Sequence, residues 1–219
     1  AFILGGIMPV VSERNARFYA TSQTAGTNGM GQMAWNNGKV AFTLTTPAAV
    51  EDQYDLMAAV SDTIRYAGDN TVPRVGLAFR HVLTAVNFRI GNNLSAAKKA
   101  VTGVKFTGVH GSGSYSFTHS KALGTWTVDG STSTFEKSGL NLAIKGIGQT
   151  IMGNGTDNLT FFFIPQSLNG VRLVVTFDDG SELAANLTGQ WLAGTTKTYT
   201  LSEKNTDWSY TFNTNAVEP

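Results

Sequence analysis

The stretch from Val75 to Ile90 is long, apolar and rich in β-branched and aromatic residues, a composition typical of β-strands. Its apolar residues alternate with others, but the parity changes. They fall on odd numbers before His81 and on even numbers after it. Side chains of a strand point to opposite faces with a period of two, so the run must contain a bulge, a bend or a transfer between sheets. We therefore predict that His81 is a partly buried residue at the junction of two β domains, where it fixes their angle, and not a catalytic residue.

Runs with a period of two recur at short intervals along the 219 residues, separated by turns rich in Gly, Asn and Asp. Clear examples lie at 39–45, 171–177 and 197–201. Strand and helix patterns do not alternate, so a parallel sheet with crossover helices is not expected. The pattern predicts an all-β protein of antiparallel sandwich or barrel type.

Three local features are predicted more specifically: one irregularity within a strand and two turns. The apolar positions within 101–109 indicate a slip in the strand near Thr107 and Gly108. The Gly- and Ser-rich segment 110–114 is expected to turn the chain into a returning strand. Asp129-Gly130, which follows the strand pattern at 125–128, is a strong hairpin signal.

Composition argues against several classes of function. The net charge is +1 and charged residues make up 14% of the chain, so there is no excess of basic residues with which to bind nucleic acid. The chain has no cysteine, which excludes disulfides, thiolate catalysis and Cys-ligated metals. No run approaches the roughly 20 apolar residues of a membrane helix. The first residues lack the charged segment of a signal peptide, which favours a mature or trimmed start.

Residues that could catalyse a reaction or bind a metal do not form a known pattern. His110 and His119 flank a predicted hairpin, but the spacing supplies no third zinc ligand. Ser112 lies in Gly-Ser-Gly and does not match G-x-S-x-G. We predict no enzyme activity, no cofactor and no metal site. A β-sandwich hydrolase remains an alternative that two close carboxylates with raised pKa would support.

The tail carries one further strand pattern, at 207–213. Trp208, Tyr210 and Phe212 share one face, and the residues between them are polar. Three interpretations are open: an edge strand of its own domain, the first strand of a further domain, or a strand offered to another molecule.

Five short strings occur in one order along the chain: DLMAA at 55–59, VGLAFRHVLTAV at 75–86, VKFTGVHGSGSY at 104–115, FIPQSL at 163–168 and WLAGTTKTYTL at 191–201. Together they resemble the fimbrillin family, the donor-strand (type V) pilins of the Bacteroides–Porphyromonas group, and their fimbrillin-like relatives. The resemblance implies two transthyretin-like antiparallel β-sandwich domains. We expect an N-terminal β domain at 1–74 that is short or incomplete, a C-terminal sandwich at 75–203 and a tail strand at 204–219.

The resemblance also implies a function. Such proteins are exported as lipoproteins to the outer membrane, although the lipidated Cys is absent here. An arginine-specific protease removes the N-terminal strand, and the terminal strand of another subunit fills the groove. If the first strand is still attached, Arg14 or Arg17 is the implied cleavage point; the alternative is that Ala1 is itself the trimmed end. Trp208, Tyr210 and Phe212 form the candidate donor strand. The expected product is an extracellular fimbria on the cell outer membrane that serves adhesion and biofilm formation. This chain is expected to be a structural or tip/accessory subunit of that fimbria.

The implied partners are other pilin subunits and a host or bacterial surface ligand. The alternative function is a surface glycan-binding β-sandwich module. Trp35, Trp126 or Trp191 would stack on sugar rings if its side chain were exposed.

Overall fold

The structure is a computed structural model that describes residues 6–12, 15–65, 74–118, 122–153, 159–203 and 213–217. It consists of strands joined by turns, with a short 3-10 helix at Val50–Asp52. The all-β class predicted from the period of two is therefore confirmed.

The strands are short, as the frequent turn residues predict. The first nine, β1 to β9, lie at Gly6–Ser12, Asn15–Thr21, Ala34–Asn36, Lys39–Thr45, Met57–Val60, Ile64–Arg65, Arg80–His81, Thr84–Ile90 and Ala100–Val109. The others, β10 to β19, lie at Ser112–Ser116, Thr125–Val128, Ser133–Lys137, Leu142–Ala143, Thr150–Met152, Phe161–Phe163, Arg172–Phe177, Glu182–Asn186, Thr195–Leu201 and Asn213–Val217.

The strands form four sheets that pair into two sandwiches. In the first sandwich, sheet A has the order β1-β2-β5-β7, with β6 beside β2, and sheet B has the order β11-β10-β4-β3. In the second sandwich, sheet C has the order β14-β8-β18-β19, with β15 beside β8, and sheet D has the order β12-β9-β16-β17, with β13 beside β9. Among the described strands, all pairs are antiparallel except β8 with β18. The structure thus has the antiparallel sandwiches that were predicted.

Each sandwich encloses its own core of buried apolar side chains, in which aromatic rings are prominent. In the first core, the Phe117 ring packs edge-on against Tyr19 of sheet A, with centroids 5.3 Å apart, and against Phe42 of sheet B, with centroids 5.8 Å apart. In the second core, Phe163 stacks on Trp191 with centroids 4.6 Å apart. Burial of these large rings stabilises both sandwiches.

The parity change at His81 marks the passage of the chain from sheet A to sheet C. Arg80–His81 forms β7 at the edge of sheet A, and Thr84–Ile90 forms β8 inside sheet C. Val82, between the two strands, is fully buried. Of the three explanations that the parity change allows (a bulge, a bend or a transfer between sheets), the structure shows the transfer between sheets. Residues 74–79 form no strand, although half-buried and exposed side chains still alternate at 76–80.

Strands β10 and β11 belong to the first sandwich although they follow β9 of the second. β10 pairs with β4, with Tyr115 opposite Phe42. The segment 110–111 and Asp129-Gly130 thus carry the chain between sheets, and the predicted returning strand and hairpin at these positions are wrong. Turn residues favour a change of direction, but long-range burial of apolar faces decides which strands pair.

Strand pairing therefore crosses the boundary predicted at residue 74. Strand β10, at 112–116, pairs with β4 of the range 1–74, and β11 pairs with β10, so the strands within 112–128 belong to sheet B of the first sandwich. It stays a prediction that the chain is divided into independently folding units at 1–74, 75–203 and 204–219.

Two buried glutamines connect the sandwiches. Gln53 Nε2 donates to the Pro47 carbonyl at 2.9 Å, and Gln53 Oε1 accepts from the Phe162 N–H at 2.8 Å. Gln166 Oε1 accepts from the His110 N–H at 2.8 Å, and Gln166 Nε2 donates to the His110 carbonyl at 3.0 Å. Gln53, between β4 and β5 of the first sandwich, bonds with β15 of sheet C, and Gln166, after β15, bonds with the link between β9 and β10. These amides therefore connect one sandwich with the other.

Candidate functional site

Strand β1 is the edge strand of sheet A. All seven of its residues pair with β2, from Gly6 opposite Thr21 to Ser12 opposite Asn15. On its other side β2 pairs with β5 and β6, so β2 is an interior strand. Removal of β1 would leave the backbone groups of β2 unpaired along one edge, and such an edge can accept a strand from another molecule.

The two candidate cleavage residues lie at different places relative to this edge. Arg14, between β1 and β2 in sequence, falls outside the described residues. Arg17 lies within β2 opposite Val10, and its Nη2 donates to Thr63 Oγ1 at 2.7 Å. Proteases prefer exposed chain that can extend into their active site, so a backbone paired inside a sheet makes Arg17 the poorer substrate.

The described part of the tail forms β19 at the edge of sheet C. Asn213–Val217 pairs antiparallel with β18 of the same chain, with Asn213 opposite Thr200. Trp208, Tyr210 and Phe212, the predicted donor residues, fall outside the described residues. The predicted strand and β19 therefore share only Asn213.

His81 lies where sheet A meets sheet C. Its Nδ1 forms a hydrogen bond with the Asp55 carboxylate, and a cavity of about 90 Å³ beside the pair is also lined by Phe162 and Thr195. Burial raises the pKa of the Asp55 carboxyl, and the charge of His81 opposes the increase only in part. The pair orients the imidazole at the passage from β7 to β8. That His81 fixes the angle between the sandwiches stays a prediction.

Several residues hold the segment from His81 to Thr84 in place, a role that the sequence did not predict for them. The Trp126 indole donates to the Val82 carbonyl at 2.7 Å, and Thr84 Oγ1 donates to the Leu192 carbonyl at 2.7 Å. The Gly194 N–H donates to the Leu83 carbonyl at 2.9 Å. These bonds join distant parts of the chain, and no local pattern indicates them. Hydrogen bonds thus hold the segment 82–84, which connects β7 with β8, from several sides.

The tryptophans proposed for sugar stacking differ in exposure. Trp191 is 1% exposed and donates to Tyr199 Oη, and Trp126 is half-buried against sheet B. Trp35, on the edge strand β3, is 50% exposed. Burial removes the Trp191 ring from any contact with ligand, so Trp35 is the most accessible of the three.

Within the described ranges, no cluster of three or more His, Cys, Asp or Glu side chains could hold a metal ion. Within the same ranges, no helix is long and apolar enough to span a membrane.

A family model described as fimbrillin-like matches residues 11–216. The chain belongs to the fimbrillin-like family. The resemblance carried by the five sequence strings is thereby confirmed. The family is one of fimbrial proteins and not of enzymes, so a surface-exposed location follows for the fimbrillin-like chain. No curated protein sequence matches it significantly.

Solved structures share the fold of this fimbrillin-like protein. A fimbrial protein from Bacteroides vulgatus matches with a TM-score of 0.63 and 16% identity, over 96% of this chain and 79% of that chain. A protein from Bacteroides uniformis, provisionally assigned to cell adhesion, matches with a TM-score of 0.55 and 19% identity, over 93% and 73% of the two chains. One from Bacteroides ovatus with the same assignment matches with a TM-score of 0.56 and 17% identity, over 95% and 69%. At these identities the likeness extends to the fold alone.

Proposed function

We propose that this protein is a structural or tip/accessory subunit of a surface fimbria and that it assembles by donor-strand exchange at the β1 edge of sheet A. The observation that carries the proposal is the pairing of β1 with β2 over seven residues at that edge. Replacement of β1 by a strand from another subunit preserves the backbone hydrogen bonds of β2, and alternate side chains of the new strand fill the apolar face.

In this proposal, proteolysis after Arg14 separates β1 from the rest of the chain. Cleavage there leaves β2 whole, whereas cleavage after Arg17 divides it. β1 is then held only by non-covalent pairing and can be exchanged. An arginine-specific protease should release residues 1–14 and allow polymers to form.

The cleavage step is tested with the variants Arg14→Ala and Arg17→Ala, treated with the same protease. Mass spectrometry identifies the cut, and size-exclusion chromatography with negative-stain electron microscopy measures polymers. We expect Arg14→Ala to remain monomeric and Arg17→Ala to polymerise like the native chain. Polymers from protease-treated Arg14→Ala would contradict the assignment.

The incoming strand is proposed to be the tail, with Trp208, Tyr210 and Phe212 as the side chains that enter the groove. Three aromatic side chains bury roughly 150–250 Å² each. At about 25 cal/mol per Å² this contributes on the order of 10 kcal/mol before the cost of ordering the strand. Because β19 pairs with β18 of its own chain, exchange requires that this pairing be lost or that only the segment before β19 be donated.

Deletion of residues 207–219 tests the donor. We expect a folded monomer that forms no polymers after cleavage. A synthetic peptide of residues 206–214 should bind the cleaved monomer and block assembly. The same peptide with serine at the three aromatic positions serves as the control and should do neither. Normal polymers from the truncated chain would exclude the tail as the donor.

The proposed subunit acts outside the cell, on a fimbria anchored to the outer membrane through a lipidated precursor. Its partners are other pilin subunits and a host or bacterial surface ligand, and the assembled fimbria serves adhesion and biofilm formation. Loss of biofilm in a strain that carries Arg14→Ala, with restoration by the native chain, is the expected cellular result.

The exposure of Trp35 supports glycan binding as a second candidate function. An exposed indole on an edge strand can stack on the apolar face of a sugar ring. A glycan array probed with the native chain and Trp35→Ala should show signals that the substitution removes. An array without signals would exclude this function for the Trp35 surface.

A further inference from the structure

A cleft of about 550 Å³ opens at the end of sheet C where the parallel strands β8 and β18 finish. Both strands begin at the junction and run seven residues away from it, a distance of roughly 20 Å. The cleft therefore lies at the opposite end of the second sandwich from His81. Its volume is within the range of sites that bind small ligands, about 300–1,000 Å³.

The walls of the cleft are bonded to the sheet. The Gly91 N–H donates to the Leu201 carbonyl at 2.9 Å, the Gly148 N–H donates to the Ile90 carbonyl at 2.7 Å, and the Ile90 N–H donates to the Gln149 carbonyl at 2.9 Å. A Cβ at Gly91 would lie 2.0 Å from Ser202 Oγ, so glycine allows this close contact between β8 and β18. A ligand therefore meets a preformed surface, and little binding energy is lost in ordering it.

Arg89 supplies the positive charge of the cleft. It is exposed on the outer face of β8, and its Nε donates to the Gly148 carbonyl at 3.1 Å, which orients the guanidinium. Within the described part of the chain, no carboxylate lies within ion-pair distance of this group. Glu203 also lines the cleft, and both of its carboxylate oxygens have partners: one contacts Lys98 Nζ at 2.8 Å and the other accepts from the Ser95 N–H at 3.0 Å. Among the described residues, the Arg89 Nη groups therefore have no carboxylate partner.

Neutral polar groups surround this charge. Asn92, Asn93, Thr200 and Ser202 line the cleft, and among the described residues their side chains make no hydrogen bond. Their amide and hydroxyl groups can donate to and accept from the hydroxyls of a ligand. Ile147, 73% exposed at the cleft, supplies an apolar surface.

We infer that this cleft binds a carboxylated sugar, such as a uronic acid or a sialic acid. A single guanidinium matches one planar carboxylate through two parallel hydrogen bonds. Asparagine, serine and threonine match the ring hydroxyls, and Ile147 contacts an apolar edge of the ring. The inference does not depend on strand exchange, because the β1 edge is in the other sandwich.

Calorimetric titration of the full chain with matched sugars tests the inference. The uronic arm compares galacturonic acid with galactose, and the sialic arm compares 3′-sialyllactose with lactose. We expect at least one acidic sugar to bind about tenfold or more tightly than its neutral partner, because a hydrogen-bonded charge pair strengthens binding by this order. Equal affinity for acid and neutral sugar, or no binding in either arm, would overturn the inference.

Variants locate the binding. Arg89→Gln should weaken binding of the acidic sugar about tenfold or more, and Arg89→Lys, which retains the charge without the paired donors, should weaken it less. Arg172→Gln, which changes an exposed arginine on sheet D, is the matched control and should bind like the native chain. Circular dichroism verifies that all three variants fold.

Unchanged binding in Arg89→Gln would show that the cleft is not the site. N-acetylglutamate amide serves as an acidic peptide probe. If this probe binds as tightly as the sugars, the ligand of the cleft is an acidic peptide and the inferred ligand class is wrong.

Discussion

Gln166 satisfies three backbone groups at the point where the two sandwiches meet. Its amide bonds with the N–H and the carbonyl of His110 and donates to the Ile164 carbonyl at 2.9 Å. The side chain is 7% exposed, so water cannot readily replace it. A buried backbone group without a partner costs free energy, and a single substitution here creates several such groups.

We expect Gln166→Ala to lower the free energy of unfolding by about 3 kcal/mol, because the His110 N–H and carbonyl lose their buried partner. Urea unfolding followed by far-UV circular dichroism measures the change. Gln190→Ala is the control: this glutamine is exposed, and its loss should change stability by less than about 0.5 kcal/mol. Equal effects of the two substitutions would show that the Gln166 bridge contributes nothing.

At the scale of the element, a local irregularity in β9 lets apolar side chains on both sides of it point into the core. Its buried positions change parity at Gly108, where the register with β12 shifts between Ser133 and Phe135. Gly108 has φ +76, in the region that favours glycine. The bulge lets both Phe106 and Val109 reach the core, which explains the slip that the sequence predicts at this point.

We expect Gly108→Ala to destabilise the protein by about 2–4 kcal/mol. Alanine is strained at this φ, and its Cβ would lie 2.2 Å from the Gly170 carbonyl oxygen. Thermal unfolding and urea unfolding measure the effect. Gly130→Ala is the matched control, because its Cβ would meet nothing within 4 Å, and we expect a change within about 0.5 kcal/mol. Native stability in Gly108→Ala would mean that the bulge can relax at little cost.

At the scale of the whole molecule, the two sandwiches share parts of the chain. Val50, in the connection after β4, belongs to the core of the second sandwich, and Ile164, after β15, belongs to the core of the first. Strands β10 and β11 complete sheet B from within the later part of the chain. Contacts between residues distant in sequence therefore connect the two cores, and we expect the two sandwiches to unfold together.

We expect the fragment 75–219 to lack a cooperative thermal transition, because β10 loses its partner β4 and Tyr115 and Phe117 lose their contacts with Phe42. The full chain should unfold in one calorimetric transition. Mixing fragment 75–219 with fragment 1–74 should restore part of the native circular dichroism signal. A cooperative transition in the isolated fragment 75–219 would instead support the predicted boundary at residue 74.

The sequence by itself determined the features that depend on neighbouring residues. A period of two records which side chains share a face, so the all-β class, the transfer at His81 and the bulge at Gly108 could be predicted. The ordered strings likewise indicated the fimbrillin-like family, which the match over 11–216 shows.

The tertiary structure alone decided which strands pair and which polar groups meet. The pairing of β10 with β4, the Gln166 bridge and the Arg89 cleft each bring together residues far apart in the chain. Partner choice is made by the burial of whole apolar faces and by satisfaction of buried polar groups, two contributions that no local pattern records.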